Sequence, residues 1–247
     1  MMYLNIFKIG GNIVDDPKRL DVFLDTFSHC REKKILVHGG GTLASELCRQ
    51  LGIPVEMNQG RRITGPITLR VAVMVYAGWI NKNLVASLLA RGCRAMGLSG
   101  ADAGCILADK RKPEPLDYGY VGDLGKESVN VHYIQSILEN GLVPVFSPIT
   151  CDHAGQLLNT NADTIASALA VAFRGFYMVR LRYVFDREGV CCPGSEKPLS
   201  LLSRAQYEKL RDQGTISDGM IPKVENALCA LEQGVGEVFI GNTCIRL

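Results

Sequence analysis

The chain has 247 residues, 47% hydrophobic and 21% charged, so it is long and apolar enough to bury the core of one large α/β domain. Its net charge is +2, with Lys and Arg scattered along the sequence, which disfavours binding to nucleic acid or an anionic membrane and favours small-molecule partners. The nine cysteines lack metal-ligand spacing and no run approaches the roughly 20 apolar residues of a membrane span, so we predict reduced thiols and a cytoplasmic location.

The first predicted elements alternate between strand and helix. Residues 3–9 form an apolar strand that contains Lys8 and precedes a Gly-Gly pair. Asp16 can cap the next helix and Pro17 can open it, within "DDPKRLDVFLDTFSHCREK". The strand "KILVHGGG" and a helix at 42–51 follow.

A long helical pattern over residues 68–91 would place Trp79 among packed apolar residues. "RAMGLSG" and "CILADKR" are typical of short strands, and residues 110–129, rich in Pro, Gly and charge, predict a hairpin or loop. The remaining predicted elements are helices at 131–140, 162–173, 203–213 and 220–233, and strands at "LVPVFSPI", "FYMVRL" and "EVFIG". This alternation predicts an α/β fold with a mostly parallel sheet covered on both faces.

Glycines follow two of the predicted strands, at residues 10–11 and 39–41. Ligands of open parallel sheets bind beyond the carboxyl ends of the strands, and bare backbone can approach phosphate oxygens closely. Lys8 would direct an ammonium group at the same place, which favours an anionic ligand over tight turns without one. Gly39, Gly41 and Ala44 also fit the dinucleotide pattern G-x-G-x-x-G/A, but the expected acidic residue does not follow, and no Walker A motif occurs.

The motifs "FKIGGN", "VHGGG", "GRRIT", "LLNTNAD" and "DGMIPKV" occur in this order over nearly the whole chain. Together they resemble the amino acid kinase family, and "SPITCDHAGQLLNTNADTIASALA" is most similar to its members that phosphorylate N-acetyl-L-glutamate. The resemblance implies a single domain with a three-layer α/β/α sandwich about a largely parallel sheet. An N-terminal lobe of about residues 1–160 would bind the N-acylated glutamate, and residues 161–247 would bind ATP. It also implies a homodimer and a role in arginine biosynthesis.

The resemblance further assigns roles to individual residues. Lys8 and Lys223 would neutralise the phosphoryl group that moves from ATP to the side-chain carboxylate, and Asp163 would pair with both lysines and keep them charged. The implied substrate-binding residues are Gly40, Gly41, Arg62 and Asn159. The implied ATP-binding residues are Gly10, Gly11, Arg182, Asp186, Ile216 and Ser217. Mg²⁺ would be carried on the nucleotide phosphates.

Two residues depart from the family pattern. Arg182 stands at or near a position where the family usually has an aspartate, and a cation there would repel the lysines unless it turns toward nucleotide phosphate or Asp186 replaces the acid. Arg70 replaces a more usual acid, so it could receive the extra carboxylate of an N-succinyl-L-glutamate substrate or form a surface salt bridge.

Two alternatives to the kinase acting on N-acylated glutamate therefore stay open. One is a degenerate, non-catalytic member that binds an acylated amino acid and regulates a partner. The other is a branch of the family that phosphorylates aspartate, glutamate, carbamate or a nucleoside monophosphate. Only seven residues precede Lys8, which leaves no room for the family's arginine-sensing N-terminal helix, so we expect little inhibition by arginine.

Overall fold

The computed structural model describes residues 2–58, 61–191, 197–214, 216 and 220–247. The strands are β1 (Tyr3–Ile9), β2 (Lys33–His38), β3 (Met57–Asn58), β4 (Arg61–Arg62), β5 (Ala95–Leu98), β6 (Asp109–Lys110), β7 (Val121–Asp123), β8 (Val143–Phe146), β9 (Ile149–Cys151), β10 (Leu157–Thr160), β11 (Met178–Val184), β12 (Leu201–Ser203), β13 (Glu237–Ile240) and β14 (Thr243–Arg246). The α-helices are α1 (Gly11–Val14), α2 (Pro17–His29), α3 (Gly41–Gln50), α4 (Pro66–Val73), α5 (Asn81–Leu89), α6 (Val131–Glu139), α7 (Ala162–Phe173), α8 (Arg204–Asp212) and α9 (Ile221–Glu232).

An eight-stranded sheet in the order β12-β14-β13-β11-β1-β2-β8-β5 forms the centre of the fold. Within the described chain β13 and β14 pair antiparallel, and the other neighbours in this sheet pair parallel. A four-stranded sheet (β6-β7-β10-β9) and the β3-β4 hairpin lie outside it. The predicted α/β class and largely parallel sheet are therefore confirmed.

Helices cover both faces of the large sheet, so the fold has three layers. On one face α6, α7, α8 and α9 pack with strand residues such as Ile6 and Leu181. On the other face α2 to α5 pack with residues such as Leu36 and Val145. Successive residues of a strand point to opposite faces, so each buried strand supplies both cores.

Several predicted boundaries agree closely with the structure. The first strand spans Tyr3–Ile9, and Asp16 caps α2 by accepting hydrogen bonds from the amides of Lys18 and Arg19. The prediction missed the short strands β12 and β14. These strands have three and four residues and are specified by pairing with each other, not by a long local pattern.

The predicted long helix is continuous from Pro66 to Leu89, but its middle, Met74–Ile80, is π-helical. A π segment has more residues per turn, so it shifts the buried register by one position. Trp79, which α-helical spacing places beside the buried Tyr76, is instead 67% exposed, and Ile80 is buried. The expectation that Trp79 packs inside was wrong for this reason.

The same helix also corrects the expectation that no apolar run approaches a membrane span. At 24 residues it is long and apolar enough to cross a membrane by length and composition alone. However, 44% of its most apolar stretch is buried inside the protein. Residues such as Ala72 and Leu84 pack in the core, as expected for an internal helix.

Candidate active site

The carboxyl ends of β1 and β2 open onto a cavity of about 240 Å³. Its walls are the glycine turn after β2, the β3-β4 hairpin, Tyr76 of the π-helical segment, and the β10-α7 junction. The charged, polar, aromatic and glycine residues that line it include Lys8, Gly40, Gly41, Arg61, Arg62, Tyr76, Asn159 and Asp163. Motifs separated by more than 150 residues therefore meet at one site.

A second cavity, of about 260 Å³, lies on the other side of Lys8. It is lined by Lys8, Gly10, Gly11, Asn12, Asp163, Tyr183, Val184, Phe185, Asp186 and Lys223. Lys8, Gly11 and Asp163 line both cavities, so they form the wall that the two share. Two ligands in these cavities would approach each other at the Lys8–Asp163 pair.

Lys8 and Asp163 form an ion pair, with the ammonium nitrogen 2.8 Å from the carboxylate oxygen. Lys8 comes from the buried strand β1, and Asp163 from the first turn of α7. Asn161 caps that helix by accepting hydrogen bonds from the amides of Asp163 and Thr164. The cap fixes the direction in which Asp163 leaves the helix, and both side chains are largely buried.

Lys223 lies in the first turn of α9 and lines the second cavity. The structure therefore brings Lys8, Asp163 and Lys223 to one cavity. Asp186 lines the same cavity from the segment after β11, so two ammonium groups and two carboxylates face it. The two ammonium groups can contact the oxygens of an anionic ligand.

The glycines of the first turn differ in their hydrogen bonding. Gly11 begins helix α1, and both it and Gly10 line the second cavity. The amide of Gly10 donates to the carbonyl of Val184 at 3.4 Å, so it is already engaged in this structure. A phosphate held by that amide would have to replace this long hydrogen bond.

Arg62 is 7% exposed and reaches into the first cavity. Its Nη2 donates to the carbonyl of Gly41 at 2.8 Å and to the hydroxyl of Ser45 at 2.6 Å. Among the described residues, its Nη1 is buried without a hydrogen-bond partner. An unpaired guanidinium nitrogen in a cavity is well suited to a ligand carboxylate.

The backbone of the second glycine turn is held against the long helix. Gly40 has φ +153°, and a Cβ atom there would lie 2.1 Å from Cδ1 of Ile80. A larger residue would have to displace the end of the Ile80 side chain and adopt a backbone conformation that residues other than glycine rarely adopt. Gly41 begins α3, and Asn159, which lines the same cavity, donates to the hydroxyl of Thr64 at 3.0 Å.

His38 holds the second glycine turn in place through hydrogen bonds. It is completely buried at the end of β2, where its Nδ1 donates to the carbonyl of Gly39 and its Nε2 accepts from Asn81. Burial lowers the pKa of His38 to about 4. The ring is therefore neutral near neutral pH and links the glycine turn to helix α5.

The structure corrects the position expected for Arg182. Its guanidinium donates to Asn5 and stacks over the rings of Phe7 and Phe239, so it lies on the opposite face of the sheet from Lys8. Strand alternation explains this, because Tyr183 is the direct neighbour of Lys8 in register and faces the second cavity. Sequence reasoning missed Tyr183, although its alternation with Arg182 could have indicated it.

The remaining residues that were predicted to bind ATP are Ile216 and Ser217. The side chain of Ile216 is 7% exposed and belongs to the hydrophobic core, so it does not line either cavity. Ser217 lies outside the described residues. Arg70 is exposed on α4 and does not line the first cavity, whereas Arg61 does.

Comparisons with known proteins agree over nearly the full length. A profile of the Amino acid kinase family matches residues 4–242. Acetylglutamate kinase of Cytophaga hutchinsonii is 46% identical, over 97% of this chain and 91% of the relative. Acetylglutamate kinase of Methanopyrus kandleri is 37% identical, over 97% of this chain and 95% of the relative.

Solved structures have the same fold. The protein smu.665 of Streptococcus mutans superposes with a TM-score of 0.83 at 28% identity and covers 98% of both chains. N-acetylglutamate synthase of Neisseria gonorrhoeae, complexed with coenzyme A and N-acetyl-glutamate, has a TM-score of 0.81 at 19% identity. That match covers 99% of this chain and 59% of the synthase, and it supports the fold alone.

Proposed function

Because this chain belongs to the amino acid kinase family, we propose that it transfers the γ-phosphoryl group of ATP to the side-chain carboxylate of N-acetyl-L-glutamate. The relatives named acetylglutamate kinase, 37–46% identical over nearly the whole chain, support this substrate over aspartate, glutamate, carbamate or a nucleoside monophosphate. The product would be an acyl phosphate in arginine biosynthesis.

The observation that carries the proposal is the Lys8–Asp163 ion pair in the wall between two cavities. A carboxylate in the first cavity and a triphosphate in the second would meet at this wall. Lys223 lines the second cavity, beside the place where a leaving phosphate would lie. Phosphoryl transfer needs alignment and positive charge more than covalent help, and these residues supply both.

The reaction itself is a single displacement. A carboxylate oxygen of the substrate forms a bond to the γ-phosphorus, the bond from that phosphorus to the β,γ-bridging oxygen breaks, and ADP leaves with the electron pair. Since the acceptor is an ionised carboxylate, no base is needed to remove a proton. Lys8 would stabilise the charge on the transferring group, and Lys223 the charge that grows on the leaving phosphate.

Substrate binding in the first cavity is proposed from its donors. The free Nη1 of Arg62 would bind the α-carboxylate, and Asn159 and the amides of Gly40 and Gly41 would hydrogen-bond the rest of the acylated amino acid. The buried position of Arg62 supports this role, because its guanidinium is already held in place by Gly41 and Ser45.

ATP use follows from the family, and we further propose that Mg²⁺ is carried on its phosphates. Two ammonium groups and glycine backbone around the second cavity suit phosphate oxygens, and the carboxylate of Asp186 suits an accompanying cation. Mg²⁺ bound there would neutralise the phosphates and help to orient them. Gly10 and Gly11 are the proposed backbone contacts, and the nucleotide roles of Ile216 and Ser217 remain proposals.

The lobes, assembly and location are also proposals. The residues that line the first cavity lie between Lys8 and Thr164, which supports an acyl-substrate lobe of about residues 1–160. The second cavity adds β11 and α9, which supports a nucleotide lobe over 161–247. Free cysteines among the described residues favour a reducing, cytoplasmic setting. A homodimer that pairs through the long helix is proposed as the assembly.

The activity is tested by trapping the acyl phosphate as a hydroxamate. The protein is incubated with ATP, Mg²⁺, hydroxylamine and one acid at a time: N-acetyl-L-glutamate, N-succinyl-L-glutamate, L-glutamate or L-aspartate. We expect hydroxamate with an N-acylated glutamate and none with the free amino acids. If no acid gives product, the degenerate, non-catalytic alternative is supported instead.

N-succinyl-L-glutamate is retained as a second candidate substrate because of Arg61. This side chain lines the first cavity next to Arg62 and is 39% exposed, with Asp123 4.0 Å from its Nη1. A second cation beside the α-carboxylate site could receive the extra carboxylate of a succinyl group. Arg70, the residue from which this substrate was first inferred, lies outside the cavity.

We predict that Arg61→Gln, and not Arg70→Gln, changes the choice between the two acyl substrates. If succinyl is preferred through Arg61, the ratio of kcat/KM for succinyl to that for acetyl should fall about tenfold or more in Arg61→Gln, as expected for loss of a charged hydrogen bond. Arg70→Gln is the matched control. An unchanged ratio in both variants would remove Arg61 from acyl recognition.

A further inference from the structure

The hydroxyl of Tyr183 is a buried polar group that the proposed reaction does not yet use. Tyr183 is 3% exposed, lies in β11, and lines the second cavity with Lys8, Asp163 and Lys223. Within the described part of the chain, its hydroxyl makes no hydrogen bond of ordinary geometry, and the Ser167 side chain is the one polar neighbour that lowers its pKa. A buried hydroxyl without a well-aligned partner is costly, and this one lies beside the groups proposed to react.

The direction of Tyr183 follows from strand register. Tyr183 and Lys8 are paired residues on the adjacent parallel strands β11 and β1, so both side chains leave the same face of the sheet. Helix α7 packs on that face and begins above them with Asp163. The phenol, the ammonium group and the carboxylate therefore share one small volume.

The phenol remains a neutral hydrogen-bond donor there. Burial is the largest cause that raises the pKa of Tyr183, followed by the negative charge of Asp163 and by Cys229 of α9, while Ser167 lowers it. The proton therefore stays on the oxygen throughout the physiological range. The same cavity also contains an acceptor, because Oδ1 of Asp163 makes an ion pair with Lys8 but no hydrogen bond of ordinary geometry.

We propose that Tyr183 is a positioning residue whose hydroxyl donates to the carboxylate of Asp163 when Lys8 turns toward the transferring phosphoryl group. In this structure Lys8 faces Asp163 at 2.8 Å, yet during the reaction the same ammonium group has to face phosphate. Asp163 then loses part of its interaction with Lys8. A neutral donor replaces it without adding a charge, so Asp163 keeps its position in the cavity that Lys8 and Lys223 also line.

This inference rests on the proposed kinase activity and is tested with Tyr183→Phe, which removes the hydroxyl and keeps the ring. We expect kcat to fall about ten- to a hundredfold, as for loss of a hydrogen bond to a charged group, while KM for both substrates changes less than threefold. Stability toward urea should stay equal or rise, because the deleted hydroxyl has no partner. Tyr177→Phe is the matched control, since Tyr177 is also buried on this face but lies outside both cavities.

A double-mutant cycle with Asp163→Asn distinguishes positioning from direct contact with substrate. If Tyr183 acts through Asp163, then Tyr183→Phe should reduce kcat little further in the Asp163→Asn background. Full additivity, an unchanged kcat in Tyr183→Phe, or a fall in kcat matched by Tyr177→Phe would each overturn the inference. An inactive wild-type enzyme would overturn the proposed function and this inference together, whereas an active wild type with an equally active Tyr183→Phe overturns the inference alone.

Discussion

At the scale of residues, the site depends on buried charges with incomplete partners. Asp163 forms an ion pair with Lys8 in the wall between two cavities, and Nη2 of Arg62 donates to the protein while its Nη1 makes no hydrogen bond of ordinary geometry within the described chain. Desolvated charges interact more strongly than exposed ones, so each contact has a large effect on a charged ligand. Charge placement at these three residues is therefore the main determinant of the proposed chemistry.

Asp163→Asn should reduce kcat by about a hundred- to a thousandfold, because it removes the anion that pairs with Lys8 while keeping the shape of the side chain. KM values should change much less. Asp16→Asn is a matched control, since Asp16 caps α2, lines neither cavity, and Asn caps helices equally well. Steady-state ADP release measures both variants, and an Asp163→Asn enzyme with wild-type kcat would contradict the assigned role.

At the scale of elements, the ends of β1 and β2 position the functional groups because hydrogen bonds and packing contacts join neighbouring elements to them. His38 links the end of β2 to the glycine turn and to Asn81, which also donates to the carbonyl of Val145 on β8. Gly40 lets the turn touch the long helix at Ile80. These contacts place the amides of α3 without any charged side chain.

We predict that His38 makes the fold sensitive to acid. Its pKa is about 4 in the folded protein against 6.5 for the free side chain, so the unfolded chain binds more protons between these values. The contribution of the neutral ring is complete above pH 6.5 and is lost as the pH falls toward 4, up to about 3 kcal/mol. His38→Gln should therefore lose less stability over this range than wild type.

Urea unfolding at pH 7, 5.5 and 4 measures this difference. The control is His132→Gln, because His132 is exposed on α6 and should leave the pH dependence of wild type unchanged. Equal loss of unfolding free energy in wild type and His38→Gln between pH 7 and pH 4 would show that another group controls acid sensitivity.

At the scale of the whole molecule, one face of the long helix lacks a partner within the described chain. Ile67, Met74 and Trp79 are 60%, 55% and 67% exposed there. The π-helical segment rotates Trp79 onto this face, so the exposed apolar surface results from the change in helical period. We infer that a second copy of the chain covers this face, which is consistent with the proposed homodimer.

Trp79→Glu should shift the protein from dimer to monomer, because a carboxylate in an apolar interface loses its hydration without a partner. Sedimentation velocity at micromolar concentration measures the change. Val22→Glu is a matched control, since Val22 is also an exposed apolar helix residue, at 68%, but lies on α2. A wild-type protein that is already monomeric would contradict the dimer.

The α/β class, the cap of α2 and the residue types of the site could be inferred from the amino-acid sequence alone. Asp16 and Pro17 specify the start of α2 locally, and the spacing of apolar residues along α7 indicates which face is buried. Lys8 could be selected in advance because a lysine next to a strand end and glycines is typical of an anion site, whereas Arg62, Asn159 and Asp163 were indicated by the resemblance to the amino acid kinase family.

Which of these side chains face each other depends on how distant segments pack in the folded protein. Arg182 and Tyr183 are neighbours in sequence, yet strand register places Tyr183 beside Lys8 and Arg182 on the opposite face. Trp79 is exposed because the helix changes its period at Met74–Ile80, and no local sequence pattern indicated that change. Register and helical phase depend on contacts between distant segments, so they are settled when the whole core packs and not residue by residue along the chain.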